Sequence, residues 1–308
     1  MARLLPTLLV LGLLGGTAAA FAITEGLKLE KSPIARTSIT GRVFSPECRC
    51  DREEARIFFR LRHADTLTLS VVDGDEDVVA TLAHQYFREG DVRRSWDGRD
   101  EAGLMVPDGS YKLRVHLRRR HQTINLPNTI EVDTMPPGVA LTSVRPTVIS
   151  PNRDGRADYT TIRFHVSGSA RPLLYVDGKL TARGRLVPSA GALHWFGKVD
   201  GRRYPAGAYR LTLRAQDRAG NVSDPTRAVI VRIRFIEVPR KVVRVSAGQR
   251  FAFRVSADTK VVRWLLHGRR GYSAPGKLRL RAPEKPGKYR LYVTAAGHAQ
   301  TAVVVVSK

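Results

Sequence analysis

The chain has 308 residues, 43% of them hydrophobic and 26% charged, which suffices for two or three small domains with cores of their own. That apolar content, with strand periodicity recurring along the chain, excludes a disordered polymer, and two cysteines exclude a disulfide framework or a four-cysteine zinc module. The formal charge is +24, and the 41 arginines against 11 lysines are the ratio expected of a GC-rich genome.

Residues 4–23 carry no charge, and 4–14 form a dense apolar run interrupted by Pro6 and Gly12. Arg3 and the amino terminus precede it, and the small residues Gly15-Gly16-Thr17-Ala18-Ala19-Ala20 follow. This pattern makes residues 1–23 a signal peptide or a transmembrane anchor, since 20 uncharged residues at about 1.5 Å each can span a bilayer. The apolar core runs through the small residues without a polar break, which favours the anchor. The expected location is the cell membrane, a single pass with the C-terminal bulk outside the cytoplasm; after cleavage the protein is instead secreted.

Cys48-Arg49-Cys50 follows. In an extended chain these two side chains point the same way about 6.5–7 Å apart at Cα, the upper edge of disulfide geometry, and an exported protein meets oxidising conditions. The spacing reads as a local disulfide, with free structural thiols as the alternative. Asp73-Gly74-Asp75-Glu76-Asp77 lies between runs at 66–72 and 78–82 and reads as a solvated hairpin turn, with Gly74 expected to supply the positive φ.

Three passages then match one another: Pro107-Asp108-Gly109-Ser110-Tyr111, Pro205-Ala206-Gly207-Ala208-Tyr209 and Pro286-Gly287-Lys288-Tyr289. Each opens an alternating apolar run, the signature of a half-buried antiparallel strand after a turn, and Tyr111, Tyr209 and Tyr289 are expected to be equivalent buried residues. Trp96-Asp97-Gly98 precedes the first, and Trp195-Phe196-Gly197 the second, while Phe44-Ser45-Pro46 parallels Ile149-Ser150-Pro151 upstream. The offset from Tyr111 to Tyr209 is about one β-sandwich long. Consecutive prolines at 136–137 cannot join a central strand and mark a linker. The modules are therefore 24–133, 134–235 and 236–308, the last with six short strands at 242–245, 251–255, 261–266, 278–280, 289–294 and 302–306. The three tryptophans, Trp264 included, are expected in sandwich cores. The fold class is all-β: tandem β-sandwiches after an N-terminal hydrophobic helix.

Trp96-Asp97-Gly98-Arg99-Asp100 with Gly103, Pro107, Gly109 and Tyr111 resembles the W-D-G-x-D-x-x-G-x-x-x-P-x-G-x-Y signature of FlgD-type immunoglobulin-like domains, found in flagellar hook-capping proteins and in exported bacterial surface proteins. Ser150-Pro151-Asn152-Arg153-Asp154-Gly155 also resembles the opening of such domains. In the second copy Phe196 replaces the motif aspartate and the following loop is shorter. The third module shares only P-G-x-Y and the strand-borne Trp264. The resemblance implies that the modules are tandem immunoglobulin-like β-sandwiches, and no part of the chain resembles the assembly region of a hook cap.

Asn152, Asp154 and Asp158 place three oxygen-bearing side chains around Gly155, as the start of a calcium loop would, but Arg163 stands where the bidentate glutamate belongs. The loop reads as an Asx-type turn or as a calcium site, the one cofactor to consider. The eight histidines form no metal-ligand spacing, and no G-x-S-x-G, P-loop or S-x-x-K motif occurs, so no enzyme is expected.

Charge is the one global functional signal. Residues 24–133 carry net −1, 134–234 net +11 and 235–308 net +13. Arg232, Arg234, Arg279 and Arg281 alternate with apolar residues and are expected on solvent faces of sheets, where they would attract polyanions. Two functions follow: a non-enzymatic envelope protein whose modules serve as spacer, adhesion or scaffolding element, partnered by the membrane through residues 4–23; or a module set that binds polyanions such as anionic cell-envelope polymers, phospholipid or nucleic acid.

Overall fold

The computed structural model describes the backbone of residues 4–29 and 32–308, and the surroundings of side chains 9–21 and 32–308. One helix, α1 (Leu4–Leu29), precedes the strands. Leu9, Val10, Leu11, Leu13, Leu14 and Phe21 on it are all 54–67% exposed, so its described part has no polar face and no packed face. Among the described residues, no helix is long and apolar enough to cross a membrane. The 4–23 segment extends beyond the described side chains at both ends.

The chain forms two compact units, Met1–Thr134 and Met135–Lys308. The first holds β1 (Ile34–Thr40), β2 (Val43–Phe44), β3 (Ala55–Leu61), β4 (Asp65–Val72), β5 (Val78–Phe87), β6 (Gly90–Trp96), β7 (Gly109–Leu117) and β8 (Gln122–Val132). A three-stranded sheet, β1-β3-β6, and a five-stranded one, β2-β8-β7-β4-β5, enclose one core. Strict alternation in the sequence drives this: Ile57, Phe59 and Leu61 of β3, and Tyr111, Leu113, Val115 and Leu117 of β7, point inward while most of their neighbours face solvent.

The second unit repeats the plan twice. Its first module holds β9 (Val139–Arg145), β10 (Val148–Ile149), β11 (Thr160–Val166), β12 (Arg171–Val176), β13 (Lys179–Arg183), β14 (Ala190–Trp195), β15 (Lys198–Val199), β16 (Arg202–Arg203), β17 (Gly207–Gln216) and β18 (Val229–Ile233). The sheets are β9-β11-β14 and β10-β18-β17-β12-β13, with β15-β16 an added hairpin. The last module holds β19 (Ile236–Glu237), β20 (Val242–Ser246), β21 (Arg250–Ala257), β22 (Val262–Leu266), β23 (Arg269–Ser273), β24 (Gly276–Arg281), β25 (Gly287–Ala295) and β26 (His298–Ser307). Its sheets, β19-β21-β24 and β20-β26-β25-β22-β23, reproduce the first module strand for strand. Each of the two modules has its own core.

Four expectations are corrected here. The last module has eight strands rather than six, β19 and β23 being additional. Trp264 sits on β22, the counterpart of β4, and is only half-buried, whereas Trp96 and Trp195 end β6 and β14 and are 2% exposed. Tyr289 is half-buried, while Tyr111 and Tyr209 are buried. In the 73–77 turn the positive φ belongs to Glu76 (68°), not Gly74, because Asp73 Oδ1 accepts the N–H groups of both Asp75 and Asp77 and sets the turn itself.

Candidate functional site

The sequence-selected residues form three groups, the last of them divided between two modules. Cys48 and Cys50 form a disulfide in the loop between β2 and β3, with Cα atoms 5.3 Å apart. The chain is not extended there: Arg49 adopts φ 48°, which draws its neighbours closer than a strand would.

Around Asn152, Asp154 and Asp158 the carboxylates face backbone donors. Asp158 accepts the N–H groups of Arg153 (2.6 Å) and Gly155 (2.8 Å), one on each oxygen. Asp154 accepts the Arg156 N–H (2.9 Å) and the Asn152 side-chain amide (3.1 Å), and that amide also donates to the Asp258 carbonyl at 2.8 Å. These are the bonds of a nested Asx turn. Among the described residues, no three His, Cys, Asp or Glu side chains are grouped to hold a metal ion. Burial and the charge of Asp154 raise the Asp258 carboxyl above the ordinary range, and one of its oxygens is buried without a hydrogen-bond partner.

Arg232, Arg234, Arg279 and Arg281 are all exposed. Arg234 pairs with Glu237, and Arg281 with Glu284 at 3.1 Å. On the outer face of β21 and β24, Arg250 lies opposite Arg281 and Arg254 opposite Lys277, with Arg279 between, so five cations share one antiparallel pair.

A fourth place escaped the sequence reading. Tyr159, His194 and Phe196 form an exposed aromatic cluster on the module that begins at β9. Alternation along β14 turns Trp195 inward and leaves His194 and Phe196 outward, and the pairing of Thr160 with Trp195 brings Tyr159 beside Phe196. The Tyr159 and Phe196 rings lie 5.0 Å apart at 46°, and Tyr159 meets His194 edge-on at 4.9 Å. Phe196 is 49% exposed. It borders a cleft of about 430 Å³ whose other lining includes Arg153, Lys198, Arg203 and Asp158. Lys198 and Arg203 reach it as paired residues of the β15-β16 hairpin. The only signal in the sequence was Phe196 at the motif's aspartate position.

The turns that recur in the chain are held by the same two side chains. Trp96 Nε1–H donates to the Arg99 carbonyl (2.8 Å) and Trp195 Nε1–H to the Lys198 carbonyl (3.0 Å), each closing the W-x-G turn. Tyr111, Tyr209 and Tyr289 each donate their hydroxyl to the carbonyl four residues back, of Pro107 (2.6 Å), Pro205 (2.7 Å) and Lys285 (2.8 Å). In the first two modules the tryptophan packs edge-on against that tyrosine, at 5.1 and 5.8 Å between ring centres. Residues 53–120 match the FlgD Ig-like domain family.

No curated protein matches the chain. Solved structures similar to it are tandem sandwiches. The fibronectin(III)-like modules of Clostridium thermocellum CbhA share 16% identity, with 64% of this chain and 93% of that one covered and a TM-score of 0.35. Titin domains I67–I69 share 12% identity over 83% and 92%, with a TM-score of 0.28. A 1.5-MDa bacterial ice-binding adhesin shares 12% over 90% and 99%, again with a TM-score of 0.28.

The buried tyrosines of the first two modules are also shifted in their acidity. Burial pushes the phenol of Tyr111 above its usual value near 10, helped by the charges of Asp73 and Asp108; burial and Asp177 do the same to Tyr209. The unfolded chain therefore releases these protons at lower pH than the folded one. Their contribution to stability is full below about pH 10 and falls as the pH rises above it. Melting temperatures measured from pH 9 upward will fall beyond pH 10, and fall less steeply in a Tyr111→Phe/Tyr209→Phe variant. Parallel slopes in the two proteins would contradict the assignment.

Proposed function

We propose that this protein is a non-enzymatic envelope scaffold: immunoglobulin-like modules displayed outside the cytoplasm on an N-terminal membrane anchor formed by residues 4–23. The observation that carries the reading is the contrast between α1 and the rest. Every sandwich encloses its own apolar core, whereas the described side chains of α1 are uncharged, apolar but for Thr17, whose hydroxyl bonds back to the helix, and exposed on all sides. An all-round apolar helix needs an apolar surrounding, and a bilayer supplies one. The sandwiches offer sheet faces and loops on which a partner can bind, and that is the role this reading gives them.

Cell fractionation with mass spectrometry of the N-terminus tests this. The expected product is the intact 4–23 segment in the membrane fraction. A chain beginning at Phe21 or Ile23 outside the cell would make it a secreted scaffold, and a full-length soluble cytoplasmic protein would end the envelope reading.

A second reading, polyanion binding by the last two modules, is favoured by the five-cation face of β21 and β24. In an envelope, anionic polymers are the polyanions such a face would meet.

A further inference from the structure

We propose that the cleft beside Phe196 binds an acidic sugar unit of an anionic polysaccharide. The sugar ring lies against Phe196, and its carboxylate or phosphate sits among Arg153, Lys198 and Arg203. The inference rests on the envelope reading for its biological setting and gives that scaffold a specific ligand class.

Three observations converge. Phe196 is half exposed and is grouped with two further exposed rings, Tyr159 and His194, which hold it from one side and make a contiguous aromatic patch. The three cations of the cleft take part in no ion pair among the described residues, unlike Arg234 and Arg281. The single acid in the lining, Asp158, already has both oxygens engaged by backbone N–H groups, so the cleft presents a net positive rim. At about 430 Å³ the cleft is within the range of small-ligand sites and too small for a protein partner's face.

The ligand must join an apolar face to an anionic edge. A pyranose does so: its C–H face is apolar, and its rim carries hydroxyls and, in acidic sugars, a carboxylate or phosphate. A nucleic-acid strand fits less well. It calls for a row of rings on which successive bases stack along a basic groove. Here the three rings meet one another at 46–75°, offering one platform rather than a series. The first module carries Asp97 at the equivalent position, turned to the Arg99 N–H (3.2 Å), so the platform belongs to the second copy alone among the two W-x-G turns.

The test is titration of the purified full-length chain, in detergent, with polygalacturonate. Fully methyl-esterified polygalacturonate serves as the neutral counterpart and oligo(dT) as the competing polyanion. Phe196→Asp, which installs the first module's residue, is expected to weaken polygalacturonate binding about tenfold or more, and Phe196→Tyr to preserve it. Lys198→Gln/Arg203→Gln should weaken it comparably and flatten its dependence on salt. Arg279→Gln/Arg281→Gln should leave it unchanged. Melting temperatures of the variants show whether each still folds.

Absence of polygalacturonate binding would overturn the proposal. So would equal affinity in the Phe196→Asp variant, equal affinity for the methyl ester, or tighter binding of oligo(dT) lost with the same substitutions. Loss confined to Arg279→Gln/Arg281→Gln would overturn the cleft and uphold the general polyanion reading. Because the titration uses purified protein, a failed envelope location leaves its result intact, and the two failures are distinguishable.

Discussion

Trp96→Ala and Trp195→Ala each cost their module about 3–5 kcal/mol, the range for removing a fully buried large aromatic. Both indoles are 2% exposed, both donate to a turn carbonyl three residues on, and both pack edge-on against the corner tyrosine. Trp96 also meets Phe44 edge-on at 5.8 Å, tying the start of the module to its middle. For a domain of this size, such a loss lowers the melting temperature by roughly 15 °C or more. Trp264→Ala costs about 1–2 kcal/mol, because that ring is half-buried and covers Gly271 at the sheet surface rather than filling the centre. Scanning calorimetry of the three variants gives the order directly. A Trp264→Ala loss as large as that of Trp96→Ala would place the third core's centre elsewhere than the structure does.

Gly98→Ala is expected to destabilise the first module by roughly 2–4 kcal/mol, far more than the same change at Gly103. Both glycines have positive φ, 77° and 78°, so both substitutions meet the same backbone strain. They differ in space: a Cβ on Gly98 would lie 2.6 Å from Pro46 Cγ, while one on Gly103 would meet nothing within 4 Å. The difference between the two variants therefore isolates the contact between the W-x-G turn and the Phe44-Ser45-Pro46 loop. The second copy repeats the arrangement, Gly197 (φ 63°) lying against Ile233 and Pro151, and Gly197→Ala should cost a similar amount. Denaturant unfolding of the paired variants provides the numbers. Equal costs at Gly98 and Gly103 would remove the close approach as the cause.

The two glycine contacts explain why so much of the fold was legible. Serine-proline and W-x-G recur together in the sequence because they touch in the structure. The tyrosine corner recurs because its hydroxyl always meets the carbonyl four residues earlier. What escaped notice had no periodic signal. β19 is two residues long, and β23, Arg-Arg-Gly-Tyr-Ser, lies at a sheet edge with no side chain fully buried, so neither shows alternation. The aromatic–basic cleft was illegible for a different reason. Arg153, Tyr159, Phe196 and Arg203 span about fifty residues, and only strand pairing and a hairpin bring them together. Arg232 and Arg279, chosen for their spacing, lie on strands of separate modules.

The strand order has a consequence for load. In each module an early strand runs parallel to the last: β2 with β8, β10 with β18, and β20 with β26. When a chain is pulled from both ends, such a pair is sheared along its length, and its hydrogen bonds must break together rather than one at a time. The first two clamps join only two residue pairs each, Val43–Glu131 and Phe44–Val132, then Val148–Arg232 and Ile149–Ile233. The third joins five, from Val242–Val303 to Ser246–Ser307. Under tension the modules are therefore graded, with the last holding longest and the earlier two yielding first.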